Sequence, residues 1–313
     1  MSYTEVQPKE ESKGSIATSL LLLVAFVFLG LFVGQFLGAL VVFVLFEFDL
    51  AQTLAVLSNP TEVPGARTAL LTMQAGGALL GYVLMPIVHQ QLVDRTPFTE
   101  ILSFRRVSGP LLATVVLLVI VLLPAVIYLA EWNTELDFSP LSPTFHEWAA
   151  TQEAELGELL EFITRFDTLG GLMGGLIVIA VLPGLGEEIL FRGVLQRRLY
   201  PLVGNPHVAI WTAAVIFSAI HIQFFGFFPR LLLGAVFGYI YYWSGSLWYA
   251  IVAHFVYNGT TLVMLYLYQQ GMIEADIDAA QSVSWSLAAL SAGAGAALLF
   301  FFRRQTESLP ADE

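Results

Sequence analysis

Long apolar runs separated by short polar stretches fill most of the chain, and this pattern predicts a bundle of membrane-spanning helices. Most runs reach the length of about 20 residues that a helix needs to cross a hydrocarbon core of about 30 Å. Backbone polar groups in lipid must be satisfied within the segment, so the spans are expected to be helical. We therefore predict an all-α polytopic membrane helix bundle with about eight transmembrane helices, at residues 16–46, 67–92, 109–130, 168–196, 208–226, 229–243, 247–268 and 282–302.

Composition agrees with lipid as the solvent. The chain is 57% hydrophobic and 12% charged, whereas soluble domains average about a quarter charged residues. The sequence contains no cysteine, which excludes disulfides, thiolate nucleophiles and Cys-ligated metals. A net charge of −12 argues against nucleic-acid binding. We expect an integral multi-pass protein of a bacterial plasma membrane.

The short loops predict the orientation, because cytoplasmic loops are enriched in lysine and arginine. One side of the predicted bundle carries nine basic residues: Lys9, Lys13, Arg95, Arg105, Arg106, Arg197, Arg198, Arg303 and Arg304. The other side carries three, Arg67, Arg165 and Arg230, together with most of the acids, including Glu274, Asp276 and Asp278. Both termini are therefore predicted to be cytoplasmic.

The longest stretch between spans is amphipathic. We predict a cytoplasmic N-terminal tail at 1–15, three helices within 16–130, an extracytoplasmic segment at 131–167, a polar-residue-bearing core at 168–270, and the last helix with a cytoplasmic tail at 271–313. The 131–167 segment has apolar residues at three- and four-residue spacing opposite an acidic face. It is either a helix resting on the membrane surface or a lid that guides substrate. Since anionic lipid does not attract an acidic face, docking on the protein itself is favoured.

Ionisable residues inside the predicted spans mark the candidate site, because such residues are costly in lipid. The fourth span contains Glu187 and Glu188, which point about 100° apart on a helix. Glu188 and Arg192 are four residues apart and can pair, which leaves Glu187 as the reactive carboxylate. Pro183 predicts a kink one turn before these residues. The neighbouring glycines suit close helix packing.

Two further spans contribute imidazoles. His221 lies within the fifth span, and His254 shares a face of the seventh span with Asn258, four residues later. Depths counted at about 1.5 Å per residue place these groups and Glu187 in the same half of the membrane. A carboxylate and an imidazole can activate water, while an imidazole and an amide can stabilise an oxyanion. Alternatively, Glu187, His221 and His254 are a common zinc ligand set.

Taken in order, Glu187-Glu188-x-x-x-Arg192, Phe217-x-x-x-His221 and His254-x-x-x-Asn258 resemble the signature of the CPBP family. This family contains type II CAAX prenyl endopeptidases and bacteriocin-processing or self-immunity proteins. The resemblance covers residues 168–270 and implies a catalytic core there, within an intramembrane peptidase. It implies that Glu187 and His221 activate water, and that His254 and Asn258 stabilise the oxyanion. Glu188 and Arg192 would be supporting residues.

The resemblance leaves the cofactor and the substrate open. Either no cofactor is used, or a divalent metal such as zinc is held by Glu187, His221 and His254. The implied substrate is a membrane-anchored protein or peptide, with prenylated CAAX proteins as one class. Two other functions are consistent with the same residues: a non-catalytic self-immunity or regulatory protein, and a proton-coupled transporter. The transporter hypothesis is weakened because the first three spans show no counterpart of the polar residues.

Overall fold

A computed structural model describes residues 12–96, 107–273 and 283–307 of the chain. All regular secondary structure in these ranges is helical, which confirms the predicted all-α class. Six residues used for the orientation argument lie outside the described ranges: Lys9, Arg105, Arg106, Glu274, Asp276 and Asp278.

Ten helices make up the described part of the chain. They are α1 (Lys13–Leu45), α2 (Leu50–Ser58), α3 (Ala66–Leu92), α4 (Gly109–Thr134), α5 (Pro143–Thr164), α6 (Leu169–Val203), α7 (Pro206–Ala219), α8 (Phe227–Ser244), α9 (Leu247–Gln269) and α10 (Trp285–Glu307). Wide π-helical turns interrupt α3 at Leu79–Leu84 and α6 at both Leu176–Val181 and Ile189–Gln196.

Seven of these described helices are long and apolar enough to cross a membrane: α1, α3, α4, α6, α8 with its preceding turn, α9 and α10. The protein is thus an integral multi-pass membrane protein. The span predicted at 208–226 differs, because α7 has 14 residues and ends at Ala219. The apolar run in the sequence continues through the following turn, so hydrophobicity alone could not show where the chain reverses.

Capping residues account for several helix ends. Asn205 caps α7 by accepting hydrogen bonds from the backbone N–H groups of His207 and Val208, and Pro206 occupies the first turn, where no N–H is needed. Gly204 and Gly245 follow α6 and α8 with φ of 72° and 64°, a left-handed conformation that glycine adopts without a Cβ clash. The α6–α7 and α8–α9 connections are consequently short and sharply turned.

The main buried core lies between α4, α8, α9 and α10. Its side chains are large and aliphatic or aromatic, and Phe237, Tyr241 and Phe302 are almost completely buried. The second packing region joins α1 and α3 through opposed glycines, Gly30, Gly34 and Gly38 against the segment from Met73 to Gly81. Small residues allow two backbones to approach closely, which is the usual basis of helix association in lipid.

Two of the arginines predicted to be cytoplasmic make contacts near helix ends. Arg198 at the end of α6 forms an ion pair with Asp94, which also accepts a hydrogen bond from Ser19 of α1. Arg303 of α10 stacks over Trp243 at the end of α8. These contacts bring the predicted cytoplasmic loops to a common face. The cytoplasmic location of that face stays a prediction from charge.

Helix α5 lies at the opposite end, against the turn between α7 and α8. Phe145 and Trp148 pack on the ring of Phe224, with centroid distances of 5.0 and 5.7 Å. The Gln223 amide donates a 3.3 Å hydrogen bond to Glu153 of α5. The amphipathic segment therefore docks on the protein, and its apolar face covers the α7–α8 turn.

Candidate active site

The segment that carries the two glutamates is a short α-helical stretch, Leu182–Glu188, between the two wide turns of α6. Pro183 near its start has no N–H to donate to the carbonyl of Ile179, four residues earlier. The side-chain amide of Asn258 on α9 donates to that carbonyl at 3.1 Å. One predicted site residue thus fixes the register between α6 and α9 at the level of the glutamates.

Two glycines let neighbouring helices approach this stretch. A Cβ on Gly184 would lie 3.2 Å from the backbone nitrogen of Phe255 on α9. A Cβ on Gly186 would lie 2.8 Å from the Cβ of Tyr82 on α3. The glutamate segment is therefore packed tightly between two helices, and the carboxylates beside it have little freedom to move.

Glu188 is completely buried and holds two partners through one oxygen. Its Oε1 accepts 2.8 Å hydrogen bonds from Nη1 of Arg192 and from Nδ1 of His254. Arg192 also donates to the carbonyl of Gly234 at 2.9 Å, and its guanidinium lies over the rings of Phe217 and Phe237. The predicted Glu188–Arg192 pair is confirmed, and it extends to an imidazole that sequence spacing did not link to it.

Glu187 is more accessible than its neighbour. Its side chain is 13% exposed, against 0% for Glu188, and its Oε2 lies 3.8 Å from Nε2 of His254. The His254 imidazole therefore stands between two carboxylates, with Nδ1 towards Glu188 and Nε2 towards Glu187. Since an ionised carboxylate can only accept a hydrogen bond, Nδ1 of His254 carries a hydrogen and donates it to Glu188.

His221 lies in the turn after α7, within electrostatic reach of Glu187 and His254. Its Nδ1 is 2.7 Å from the carbonyl of Phe217. A carbonyl can only accept, so Nδ1 carries the hydrogen and Nε2 of the neutral ring has a free lone pair. The next residue, Ile222, has φ of 55°, an unusual backbone conformation for a β-branched side chain. Strain of this kind is concentrated at functional sites.

Asn133 is a site-supporting residue that the sequence reasoning missed. It is completely buried at the end of α4. Its Nδ2 donates to the carbonyl of Phe224 at 3.0 Å, and its Oδ1 accepts from the N–H of Phe228 at 2.8 Å. Asn133 thereby satisfies both ends of the turn that follows His221. The available sequence signal was an amide side chain shortly after the apolar run predicted at 109–130.

Glu187, His221 and His254 are the three candidate metal ligands. Within the described ranges, no group of three or more His, Asp or Glu residues is arranged to hold a metal ion. The imidazole of His254 is engaged by Glu188 through one nitrogen, and the other nitrogen faces the Glu187 carboxylate. A carboxylate that holds one nitrogen of a histidine is also the usual partner of a metal-bound histidine, so the choice between a metal and no metal stays a prediction.

A family model and a bacterial relative are similar to parts of this chain. Residues 170–260 match the model of the family described as type II CAAX prenyl endopeptidase Rce1-like. A relative from Bacillus subtilis (strain 168), the uncharacterized protein YpbD, is 33% identical over 85 residues, which are 26% of this chain and 40% of the relative. The chain thus spans less than half of that relative's length. No solved structure matches the chain. The matched region contains Glu187, His221, His254 and Asn258, and at the level of the family it indicates an intramembrane protease.

Proposed function

We propose that this multi-pass membrane protein, whose residues 170–260 match the Rce1-like family of type II CAAX prenyl endopeptidases, is an intramembrane endopeptidase. Its proposed substrate is a membrane-anchored protein or peptide, with a prenylated cysteine near the carboxyl end as the first class to test. The observation that carries the proposal is the position of Glu187. It is the more accessible of the two glutamates, and its Oε2 lies 3.8 Å from Nε2 of His254. The ring of Phe217 contacts both imidazoles, that of His254 and that of His221 in the turn after α7.

In the proposed reaction, a water molecule lies between Glu187 and His221. The lone pair of His221 Nε2 accepts one hydrogen bond and orients the water, while Glu187 takes a proton. The resulting hydroxide attacks the scissile carbonyl carbon, and the carbonyl oxygen becomes an oxyanion. Glu187 then passes its proton to the leaving amine. In total, one peptide bond and one water molecule are converted to a carboxylic acid and an amine.

The oxyanion is stabilised from the other wall in this proposal. His254 donates from Nε2 when the ring carries both hydrogens, and Glu188 holds the ring in place through Nδ1. Asn258 uses one N–H on the carbonyl of Ile179 and offers its second N–H to the oxyanion. Glu188 and Arg192 act by positioning and charge balance. Every step of this proposal is written with side chains of this chain, and a divalent metal held by Glu187, His221 and His254 stays the alternative.

Cleavage of tethered peptides tests this proposal. The purified protein is reconstituted in liposomes with a fluorogenic peptide anchored by a farnesylated cysteine that is followed by three residues. A second peptide is anchored by a palmitoylated cysteine instead. We expect cleavage that is lost in Glu187→Gln and His221→Asn, whereas Glu158→Gln, an exposed change on α5, leaves the rate unchanged. Full activity in a folded Glu187→Gln variant would disprove the proposed role.

A further inference from the structure

Arg230 is a cation in the first turn of the apolar helix α8 that the proposed reaction does not use. Its Nη1 donates to Oε1 of Gln223 at 2.8 Å, and its Nη2 donates to the backbone carbonyl of Gln223 at 2.7 Å. Its Nε is buried and has no hydrogen-bond partner among the described residues. Gly226 makes room for the guanidinium, since a Cβ there would lie 2.6 Å from Nη2. An arginine that is half-buried at the start of an apolar helix is a candidate functional residue.

A carboxylate from α5 is held near this cation. Glu153 Oε1 accepts the 3.3 Å hydrogen bond from Gln223, the same side chain that accepts from Arg230. The other oxygen of Glu153 is buried and lacks a partner within the part of the chain that the structure describes. The charges of Glu153 and Arg230 act on each other through this arrangement. Glu153 thus offsets the charge of Arg230 while leaving hydrogen-bonding capacity unused on both groups.

This cluster adjoins the candidate active site. Gln223 follows His221 by two residues, and the charge of Arg230 acts on the His221 imidazole. Arg230 also interacts electrostatically with Tyr257, the residue before Asn258 on α9. A peptide that lies across the Glu187–His221 pair therefore has a cation within reach at the α5 end of the site.

We propose that Arg230 binds a carboxylate of the substrate, and that Glu153 takes the place of this carboxylate in the ligand-free protein. The planar guanidinium presents paired N–H groups that match the two oxygens of a carboxylate. Substrate binding would transfer the charge balance of Arg230 from Glu153 to the substrate. The carboxylate comes either from the peptide terminus or from an acidic side chain close to it. This inference rests on the proposed peptidase function and identifies what the site selects.

Binding experiments test the inference separately from cleavage. All variants are made in the Glu187→Gln background and placed in nanodiscs, so that bound peptide is not consumed. Three fluorescent farnesylated peptides are compared: one with a free terminal carboxylate, one with a terminal carboxamide, and one carboxamide with glutamate as its last residue. Dissociation constants are measured by anisotropy. The control change is Arg303→Gln, which removes an exposed arginine paired with Glu307 on α10.

We expect one of the two carboxylate peptides to bind about tenfold or more tightly than the plain carboxamide, since a hydrogen-bonded charge pair is worth that much. Which of the two does so identifies the source of the carboxylate. Arg230→Gln should bring the three dissociation constants within about twofold of one another, and Gly226→Ala should reduce the preference by displacing the guanidinium. Arg303→Gln should retain the full preference.

Glu153→Gln should tighten binding of the preferred carboxylate peptide severalfold, because the competing charge is gone while the hydrogen bond to Gln223 remains possible. Equal binding of all three peptides, no binding of any, or a preference that survives in Arg230→Gln would each overturn the inference. An unchanged affinity in Glu153→Gln would overturn the place given to Glu153. Failure of the proposed peptidase function would be seen in a different experiment, as the absence of Glu187-dependent cleavage in liposomes.

Discussion

The side chain of Asn258 donates a hydrogen bond to the carbonyl of Ile179, which Pro183 cannot satisfy from within α6. A proline that weakens one helix thus creates an acceptor for the next, and the two helices are locked in register where the glutamates lie. Asn258 consequently has a structural role in addition to the chemical role proposed for it.

A double-mutant cycle separates these roles. Asn258→Ala should lower the free energy of unfolding by about 1–2 kcal/mol, since a part-buried carbonyl loses its side-chain partner. In the Pro183→Ala background the restored N–H can bond to Ile179, so the cost should fall and the coupling energy should be about 1 kcal/mol. Unfolding in mixed detergent micelles measures all four proteins. A coupling near zero would show that the bond contributes nothing to stability.

Replacing either adjacent glutamate by glutamine should have very different effects on the free energy of unfolding. Glu188→Gln leaves Arg192 buried without its counter-charge and should cost about 3–5 kcal/mol of stability. Glu187→Gln, at a more accessible side chain, should cost less than about 1 kcal/mol and abolish cleavage. Thermal unfolding and peptide cleavage are measured on both variants.

The double variant Glu188→Gln/Arg192→Met provides the control, because it removes the charge along with its partner. It should recover most of the lost stability without recovering activity. Equal destabilisation by Glu187→Gln and Glu188→Gln would contradict the division of labour between the two carboxylates.

The backbone at Ile222 should be strained. A left-handed conformation costs an L-residue with a side chain about 1–2 kcal/mol, and Ile222 adopts φ of 55° directly after His221. We expect Ile222→Gly to raise the free energy of unfolding by about 0.5–1 kcal/mol after the entropy cost of glycine is counted. Ile222→Val keeps the β-branch and should bring no gain. If both variants have the stability of the parent, the turn is not strained.

Asn133 should hold the turn after His221 in place. Asn133→Ala leaves the Phe224 carbonyl and the Phe228 N–H without partners, for an expected cost of about 2–4 kcal/mol. Hydrogen exchange in peptides covering residues 224–228 should accelerate, and cleavage should slow in parallel. Asn133→Asp keeps the acceptor for Phe228 and should be intermediate. Unaltered exchange in Asn133→Ala would exclude this anchoring role.

The sequence predicted much of the fold because burial in lipid leaves a direct record in hydrophobicity. The span predicted at 67–92 is the helix Ala66–Leu92, and that predicted at 247–268 is Leu247–Gln269. The exception is the end of α7. From Ile220 to Phe228 the chain is apolar except for His221 and Gln223, and α5 covers part of this turn through Phe224, so hydrophobicity marks the reversal only weakly.

Contacts within the site could be predicted only between residues that are close together in the sequence. The Glu188–Arg192 pair follows from four residues on one helix face, and the structure contains it. The bond between Glu188 and His254 joins residues 66 positions apart, so it depends on how α6 and α9 pack. From the sequence, Arg230 could be recognised only as a positive charge near the end of a span. Its relation to Gln223 and Glu153 depends on the docking of α5, which no single segment encodes.

The shortness of α7 has a consequence for the surrounding lipid. Fourteen residues extend about 21 Å, whereas the hydrocarbon core measures about 30 Å. The face formed by Val208, Trp211 and Val215 is exposed and apolar, so acyl chains contact it directly. A helix this short is expected to thin the bilayer beside it, which would bring headgroups and water closer to the turn that bears His221. The proposed hydrolysis needs water at that depth, so we expect cleavage to be faster in short-chain than in long-chain phospholipids.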